Sequence, residues 1–419
     1  MMEVRVPYGQ DSVRVDCPEE NLAGVCFPNE VPQRDEHEII QEATNHPINA
    51  GPLEDFLADS AEVLFVVNDS TRPTPTARIL DHLAGEIEGE NPIDFLVATG
   101  AHTPPTPAEL KTIFGPWLEQ FQKVISIHDA QAESNMVHLG ITSRGTPLAL
   151  NRQVVEAPKI VAISSVEPHY FAGYTGGRKS FFPGAAAFST IEQNHRLALE
   201  EGAAPLVLEG NPVHEDLTEA MGGLLEKEIY SLQVVLDRFH RICASFAGSL
   251  EGTFAAAVQK AREIFAVEVR ERADVVVTIA TPPMDIDLYQ SHKAIEHGRL
   301  ILKEGGIIIL VSQCPKGVGN ERFHQLLCRA ADPEEVSTLI EKSYCLGDHK
   351  AAKIADLAKK AQIWGVTDLD PKILEQAFIK PHPDLQGALS AAIKEKGPHA
   401  RVLFFMNGTI TVPTIGGDS

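Results

Sequence analysis

The stretch "KIVAISSVEPHYFAGYTGGRKSFFPG" (159–184) runs from an apolar segment directly into a loop dense in glycine, aromatic rings and polar side chains. Its first part, "KIVAISS" (159–165), is the continuous apolar run of a strand covered on both faces. The loop that follows comes nearest to a phosphate-cradling template, G-x-x-x-x-G-K-[ST], with Lys179 and Ser180 in the last two places when counted from Gly173. The place before the lysine, where only glycine lets the backbone curl onto a phosphate, holds Arg178. The loop therefore reads as anion-tolerant and not as that of a nucleotide triphosphatase.

The same pattern recurs along the chain. "EVLFVVN" (62–68), "IDFLVAT" (93–99), "DVVVTIA" (274–280), "GIIILVS" (306–312) and "RVLFFM" (401–406) are further strand candidates, alternating with helical patterns. Thr106-Pro-Ala-Glu109 and Asp332-Pro-Glu-Glu335 each supply a cap, a proline at the first helical position and a glutamate that closes the box. The expectation is an α/β protein of two domains with mainly parallel sheets and an active site in the interdomain cleft. The amphipathic stretch 254–272 serves as the connecting helix, which divides the chain into an N-terminal domain over 1–268 and a C-terminal domain over 269–419. Residues 398–419 are left free to pack back on the N-terminal domain.

The first three strands each lead into a polar cluster: "NDSTRPTPT", "GAHTPPT" and "VEPHYFAGYTGGRKS". Ligands of open α/β sheets bind beyond the carboxyl ends of the strands, so Asp69, Arg72, His102, His169 and Lys179 are expected to converge. Prolines in all three loops restrict the backbone and hold side chains at low entropic cost.

Composition bounds the ligand. A chain of 419 residues, 43% hydrophobic, buries a large core. The apolar run "GGIIILV" is too short to span a bilayer, and the N-terminus lacks the layout of a signal peptide, so the expected address is the cytoplasm. Six scattered cysteines without C-x-x-C point to reduced, mostly buried thiols and to no thiolate zinc site. A net charge of −22 argues against nucleic acid and anionic membrane as partners. Cations that hold an anionic ligand must then be local.

Taken singly, each residue also has a plain structural reading. Asp69 and Arg72 suit an Asx-turn with a surface arginine, and His102 suits a hydrogen bond to a loop carbonyl. His195, in "STIEQNHRLALE", sits in a helical pattern where a lone histidine is more often structural. The rings of Tyr170, Phe171, Tyr174, Phe181 and Phe182 suit a core. Their co-occurrence favours a site.

Together these residues carry a resemblance. "EPHYFAGYTGGRKSFFPG" with His195 sixteen positions after its lysine, "DSTRPT" and "GAHTP" upstream and "YQSHK" downstream, resembles the nickel-dependent lactate racemase family over most of the chain. The resemblance implies a nickel-pincer nucleotide, a pyridinium mononucleotide whose sulfur-bearing arms hold nickel through carbon and sulfur. Lys179 would carry it covalently through its thioamide, and His195 would be the protein's nickel ligand. Asp69, Thr175, Gly176, Gly177, Arg178 and Ser180 would bind it, its phosphate lying against the 175–180 loop. One imidazole suffices for a square-planar ion if an organic tridentate ligand supplies the rest.

The implied reaction inverts the hydroxyl-bearing carbon of a 2-hydroxy acid by hydride transfer to the cofactor through a 2-keto acid. His102 and His169 would be the two general bases, Arg72 the carboxylate clamp, and Tyr289, Gln290 and Lys293 further substrate contacts. Gln290 and Lys293, three apart, share one helix face. The expected partners are the small 2-hydroxy acid and the enzymes that make the cofactor. Two other readings stay open: a nicotinamide or pyridoxal-type enzyme using Lys179, and a non-catalytic cofactor-binding relative. Lactate racemases of this kind place a tryptophan over the substrate. Here that position aligns with His349 in "LGDHKAAKIA", or with Trp364 nearby, and a histidine there favours a larger or more polar acid than lactate.

Overall fold

The computed structural model describes residues 1–58, 61–87 and 92–416. The chain forms two compact units, one of residues 30–263 and one of residues 1–29 with 264–419. Each is built on a six-stranded, mainly parallel sheet, so the expected α/β architecture is the one that forms.

In the 30–263 unit the strands lie in the order Ile242–Gly248, Glu228–Leu236, Lys159–Ser165, Val63–Asn68, Ile93–Ala98, Ile125–Ile127. Neighbours are parallel except Ile242–Gly248, which is antiparallel to Glu228–Leu236. Val63, Phe65 and Val67 cluster with Ile39, Ile79, Leu80 and Phe114 from helices on one face. Leu64 and Val66, pointing the other way, are equally buried, which is why the strand reads as a continuous apolar run.

The chain moves outward from Val63–Asn68 to the next two strands, then returns to lay Lys159–Ser165 on the first strand's other side. That reversal sets the loops after residues 68 and 165 side by side at the sheet's carboxyl edge, where such sheets bind ligands. The helix Pro107–Phe114 opens with the expected box. Glu109 N–H donates to Thr106 Oγ1 at 3.3 Å, and Thr106 N–H donates to Glu109 Oε2 at 2.8 Å.

The second unit's sheet runs Ile379–Pro381, Gln362–Val366, Leu302–Val311, Ala273–Ile279, Val402–Phe405, Leu22–Cys26, parallel throughout. Residues 1–29, grouped by the sequence with the first domain, lie here, since Leu22–Cys26 pairs with Val402–Phe405. Of residues 398–419, those up to 416 likewise stay with this unit, and 417–419 lie outside the described residues. The helix expected over 254–272 is Leu250–Phe265, after which Ala266–Val269 pairs in parallel with Val412–Ile415. Val267 and Val269 are buried and Glu268 is exposed, so a period of two replaces the helical one. All six cysteines are free, but only Cys17 and Cys314 are buried and Cys328 is exposed, fewer than the sequence led us to expect. Among the described residues no helix is long and apolar enough to cross a membrane.

Candidate active site

The three loops are tied to one another by hydrogen bonds. Thr74 Oγ1, from the first, lies 2.8 Å from Ser165 Oγ at the start of the third and accepts the Ser165 N–H at 3.1 Å. Gly100 N–H, from the second, donates to Gly184 O at the end of the third at 2.8 Å. Asp69, from the first, meets His102 of the second. The side chains they carry therefore share one edge of one sheet.

Asp69 is buried. Its Oδ2 is 2.7 Å from His102 Nδ1, and its Oδ1 accepts Thr71 N–H at 3.1 Å and Thr71 Oγ1–H at 2.6 Å. The Asx-turn and the histidine contact thus coexist. Burial pushes the Asp69 carboxyl up, but His102, Thr71 and the Arg72 charge outweigh it and hold the group below its ordinary range. The His102 side chain is partly open to solvent, at 41%. Arg72 is half-buried.

In the third loop Pro168–His169 pairs antiparallel with Gly173–Tyr174, so the chain doubles back over Tyr170 to Ala172. The fold line sets Phe171 at the centre of a cluster. Its ring is 4.5 Å from that of His169 and 5.2 Å from that of His195, which sits on the helix Phe188–Arg196. Lys179 Nζ lies 5.6 Å from the same ring's centroid. Three residues expected at the site, from 169 to 195, therefore surround one aromatic side chain.

The turn Gly177–Ser180 that carries Lys179 requires its glycines. Gly176 and Gly177 have φ of +75° and +54°, and a Cβ on them would stand 2.5 Å from Val166 Cγ2 and 2.7 Å from the Phe254 ring. Several of the loop's amides are already committed. Thr175 N–H donates to Glu167 O, Gly177 N–H to Gln233 Oε1 and Lys179 N–H to Gly176 O. Among the described residues, the buried side-chain groups here without a hydrogen-bond partner are Nε and Nη1 of Arg178 and the hydroxyls of Tyr174 and Ser180.

Arg178 is 5% exposed, its guanidinium carbon 4.6 Å over the Phe254 ring, and burial lowers its pKa to about 9. The His214 ring lies 6.2 Å from that of Phe254, with 24° between their planes. Burial and then the Arg178 charge push it down to about 4. Buried donors and a strained cation are what an anion such as a mononucleotide phosphate complements. Among the described residues no three His, Cys, Asp or Glu side chains group to hold a metal ion.

Tyr289, Gln290 and Lys293 lie on the helix Leu288–Gly298, which Asp287 caps by accepting Gln290 N–H at 2.7 Å. Lys293 Nζ lies 3.3 Å from Met284 Sδ. Lys350 Nζ sits 3.6 Å over the Tyr289 ring and donates to the Tyr289 carbonyl. Burial, then the charges of Asp287 and Asp348, pushes the Tyr289 hydroxyl far up. The sequence reading missed Thr71, His214, Gln233 and Phe254, which act from behind the motif residues. Only Thr71 lies inside a motif, so no local signal marked the other three.

Two family models match this chain: the lactate racemase N-terminal domain over residues 8–205 and the lactate racemase C-terminal domain over 268–412. The lactate racemase of Thermoanaerobacterium thermosaccharolyticum is 32% identical over 406 residues, 94% of each chain. That of Lactiplantibacillus plantarum is 28% identical over 97% of this chain and 99% of its own. The structure of the lactate racemase apoprotein from T. thermosaccharolyticum superposes with a TM-score of 0.91 at 29% identity, covering 99% of this chain and 100% of that one. A protein from Thermotoga maritima at 15% identity and a TM-score of 0.69 shares the fold. With matches to both domains and identity above 30% along nearly the whole chain, this protein belongs to the lactate racemase family, isomerases that act on a hydroxy acid.

Proposed function

We propose that the chain is a racemase or epimerase that inverts the hydroxyl-bearing carbon of a 2-hydroxy acid, using a nickel-pincer nucleotide held on Lys179 with His195 as the metal's protein ligand. The observation that carries the reading is the gathering of His169, Lys179 and His195 around Phe171, on the sheet edge that also bears the Asp69–His102 pair. When bound, the cofactor supplies a hydride acceptor. The chain's own residues do the rest.

Arg178 is our choice for the cofactor phosphate, because its buried Nε and Nη1 have no acceptor among the described residues. Thr175, Gly176, Gly177 and Ser180 shape the loop around it. Arg72 clamps the substrate carboxylate in a fork, and Tyr289, Gln290 and Lys293 complete the substrate contacts. His102 and His169 take and return the hydroxyl proton, one for each enantiomer. The enzymes that build the cofactor are the expected partners, and the cytoplasm, where free thiols stay reduced, is the expected compartment.

The test is metal analysis with intact mass after co-expression with the cofactor-making enzymes. Lys179→Ala should lose the covalent adduct and His195→Ala the nickel. Solvent deuterium should enter the exchangeable oxygen and not the chiral carbon. Wild-type protein that racemises with neither adduct nor nickel refutes the proposal, as does rapid deuteration at carbon. Nickel-free protein carrying NAD would replace it with a nicotinamide enzyme.

A further inference from the structure

We infer that Asp69 is a positioning residue for His102: it holds the ring as the Nδ1–H tautomer, so that Nε2 is the atom that takes the substrate proton. This makes the two candidate bases unequal. The consequence for turnover rests on the racemase reading, whereas the tautomer itself does not.

The geometry leaves one assignment. A carboxylate only accepts hydrogen bonds, so the Asp69 Oδ2 contact at 2.7 Å requires the proton on Nδ1 of His102. The other carboxylate oxygen is fixed by two donors from Thr71, and the group is buried and held in its charged form. Asp69 therefore neither turns away nor serves as a donor. In a neutral ring with Nδ1–H, the lone pair is on Nε2.

His169 is oriented by the opposite kind of contact. There Nδ1 accepts the Ala172 N–H at 3.3 Å. When a substrate hydroxyl gives its proton to Nε2 of His102, the O–H bond breaks, an N–H bond forms, and the new imidazolium charge faces a carboxylate already in place. When His169 becomes an imidazolium both its nitrogens carry protons, and its Nδ1 no longer accepts from Ala172. Protonation of His102 is compensated where it stands; protonation of His169 costs it a hydrogen bond.

Asp69 itself was expected among the cofactor contacts, and in the protein its two oxygens meet Thr71 and His102. The two roles separate experimentally. Full-length apoprotein labelled with 15N-histidine, measured at about pH 9 where an ordinary imidazole is neutral, should show His102 protonated at Nδ1 and bare at Nε2. Asp69→Ala should return it to the Nε2–H form that free imidazole prefers. Wild-type His102 found as the Nε2–H tautomer overturns the inference, and needs no variant to fold.

In cofactor-loaded enzyme, Asp69→Ala should keep the adduct mass and lower kcat about tenfold or more. Loss of the adduct would make Asp69 a cofactor contact and overturn the positioning role. The equilibrium constant of a racemase is one, so kcat/KM is the same for both enantiomers. The inequality of the bases must therefore appear as separate changes in kcat and KM. If no 2-hydroxy acid is racemised at all, the proposed function falls while the tautomer result stands.

Discussion

The ring of His195 meets the ring of Phe171 edge-on, 5.2 Å between centroids and 73° between planes. Since Phe171 also touches His169 and underlies Lys179, it sets the spacing of three proposed functional groups at once. Phe171→Leu should fold, because it keeps an apolar side chain of similar reach. Its loading and kcat should nevertheless drop at least roughly tenfold, as expected when reacting groups lose their alignment. Phe171→Ala should add an unfolding penalty of about 3–5 kcal/mol for the cavity. Denaturant unfolding and intact mass separate the two effects, and a Phe171→Leu protein that loads and turns over normally would reduce the ring to packing.

Arg178 should trade stability for binding. A buried guanidinium with two unpaired donors is costly, and an apolar side chain of like volume removes that desolvation cost. Arg178→Met apoprotein should unfold at the same or higher denaturant concentration than wild type. Loading after co-expression should fall sharply. If the variant is destabilised and loads normally, the arginine is structural and the phosphate lies elsewhere.

Much of this was legible in the sequence because the signals were local. "KIVAISS" forms a strand over the same residues, 159–165, and the cap at Thr106 forms the expected box, since each depends on neighbours within a few positions. The hairpin Met2–Tyr8 with Asp11–Cys17 was also written locally, in the alternation of Val4, Val6, Val13 and Val15 around Gly9, and was overlooked. What the sequence did not carry is long-range. Leu22–Cys26 joins a sheet whose other strands lie some 250 residues or more away, and Gln233 reaches the glycine loop from a different strand. The site followed the same rule: motif residues were found, and the side chains behind them were not.

Acid should weaken the fold through His297. It is fully buried with Nδ1 donating to Gly408 O at 2.9 Å, and burial, opposed by that carbonyl, lowers its pKa to about 4. An unfolded histidine binds its proton near 6.5. As pH falls the unfolded chain takes up the proton first, so stability from this group is full above about 6.5, declines to about 4 and then levels, a loss of about 3 kcal/mol. Denaturant unfolding across that window should be flatter for His297→Gln than for wild type. Equal slopes would mean that the histidine titrates normally in the folded state.

Substrate choice turns on which side chain stands where the family's tryptophan is expected. Trp364 is ruled out for that role by its place in the core: it lies on the strand Gln362–Val366, is fully buried among Val277, Ile309 and Phe404, and stacks on His382 at 4.4 Å. His349 is near the start of the helix Asp348–Ala358 and is 1% exposed, so it is not a solvated surface histidine. Its Nδ1 lies 3.0 Å from the Tyr344 hydroxyl, and its neighbour Lys350 covers the Tyr289 ring. We propose that this buried polar pair stands where the family's bulky apolar lid is expected. An acid with a polar group beyond the hydroxyl-bearing carbon can pair with it. Lactate carries no such group and forgoes that hydrogen bond, worth about 0.5–1.5 kcal/mol, roughly two- to twelvefold in efficiency. We expect broad 2-hydroxy-acid activity with larger or more polar substrates preferred over lactate, and His349→Ala to erase the preference. A panel of kcat/KM values decides it: lactate clearly ahead, with His349→Ala indifferent across the panel, would show that this position does not set specificity.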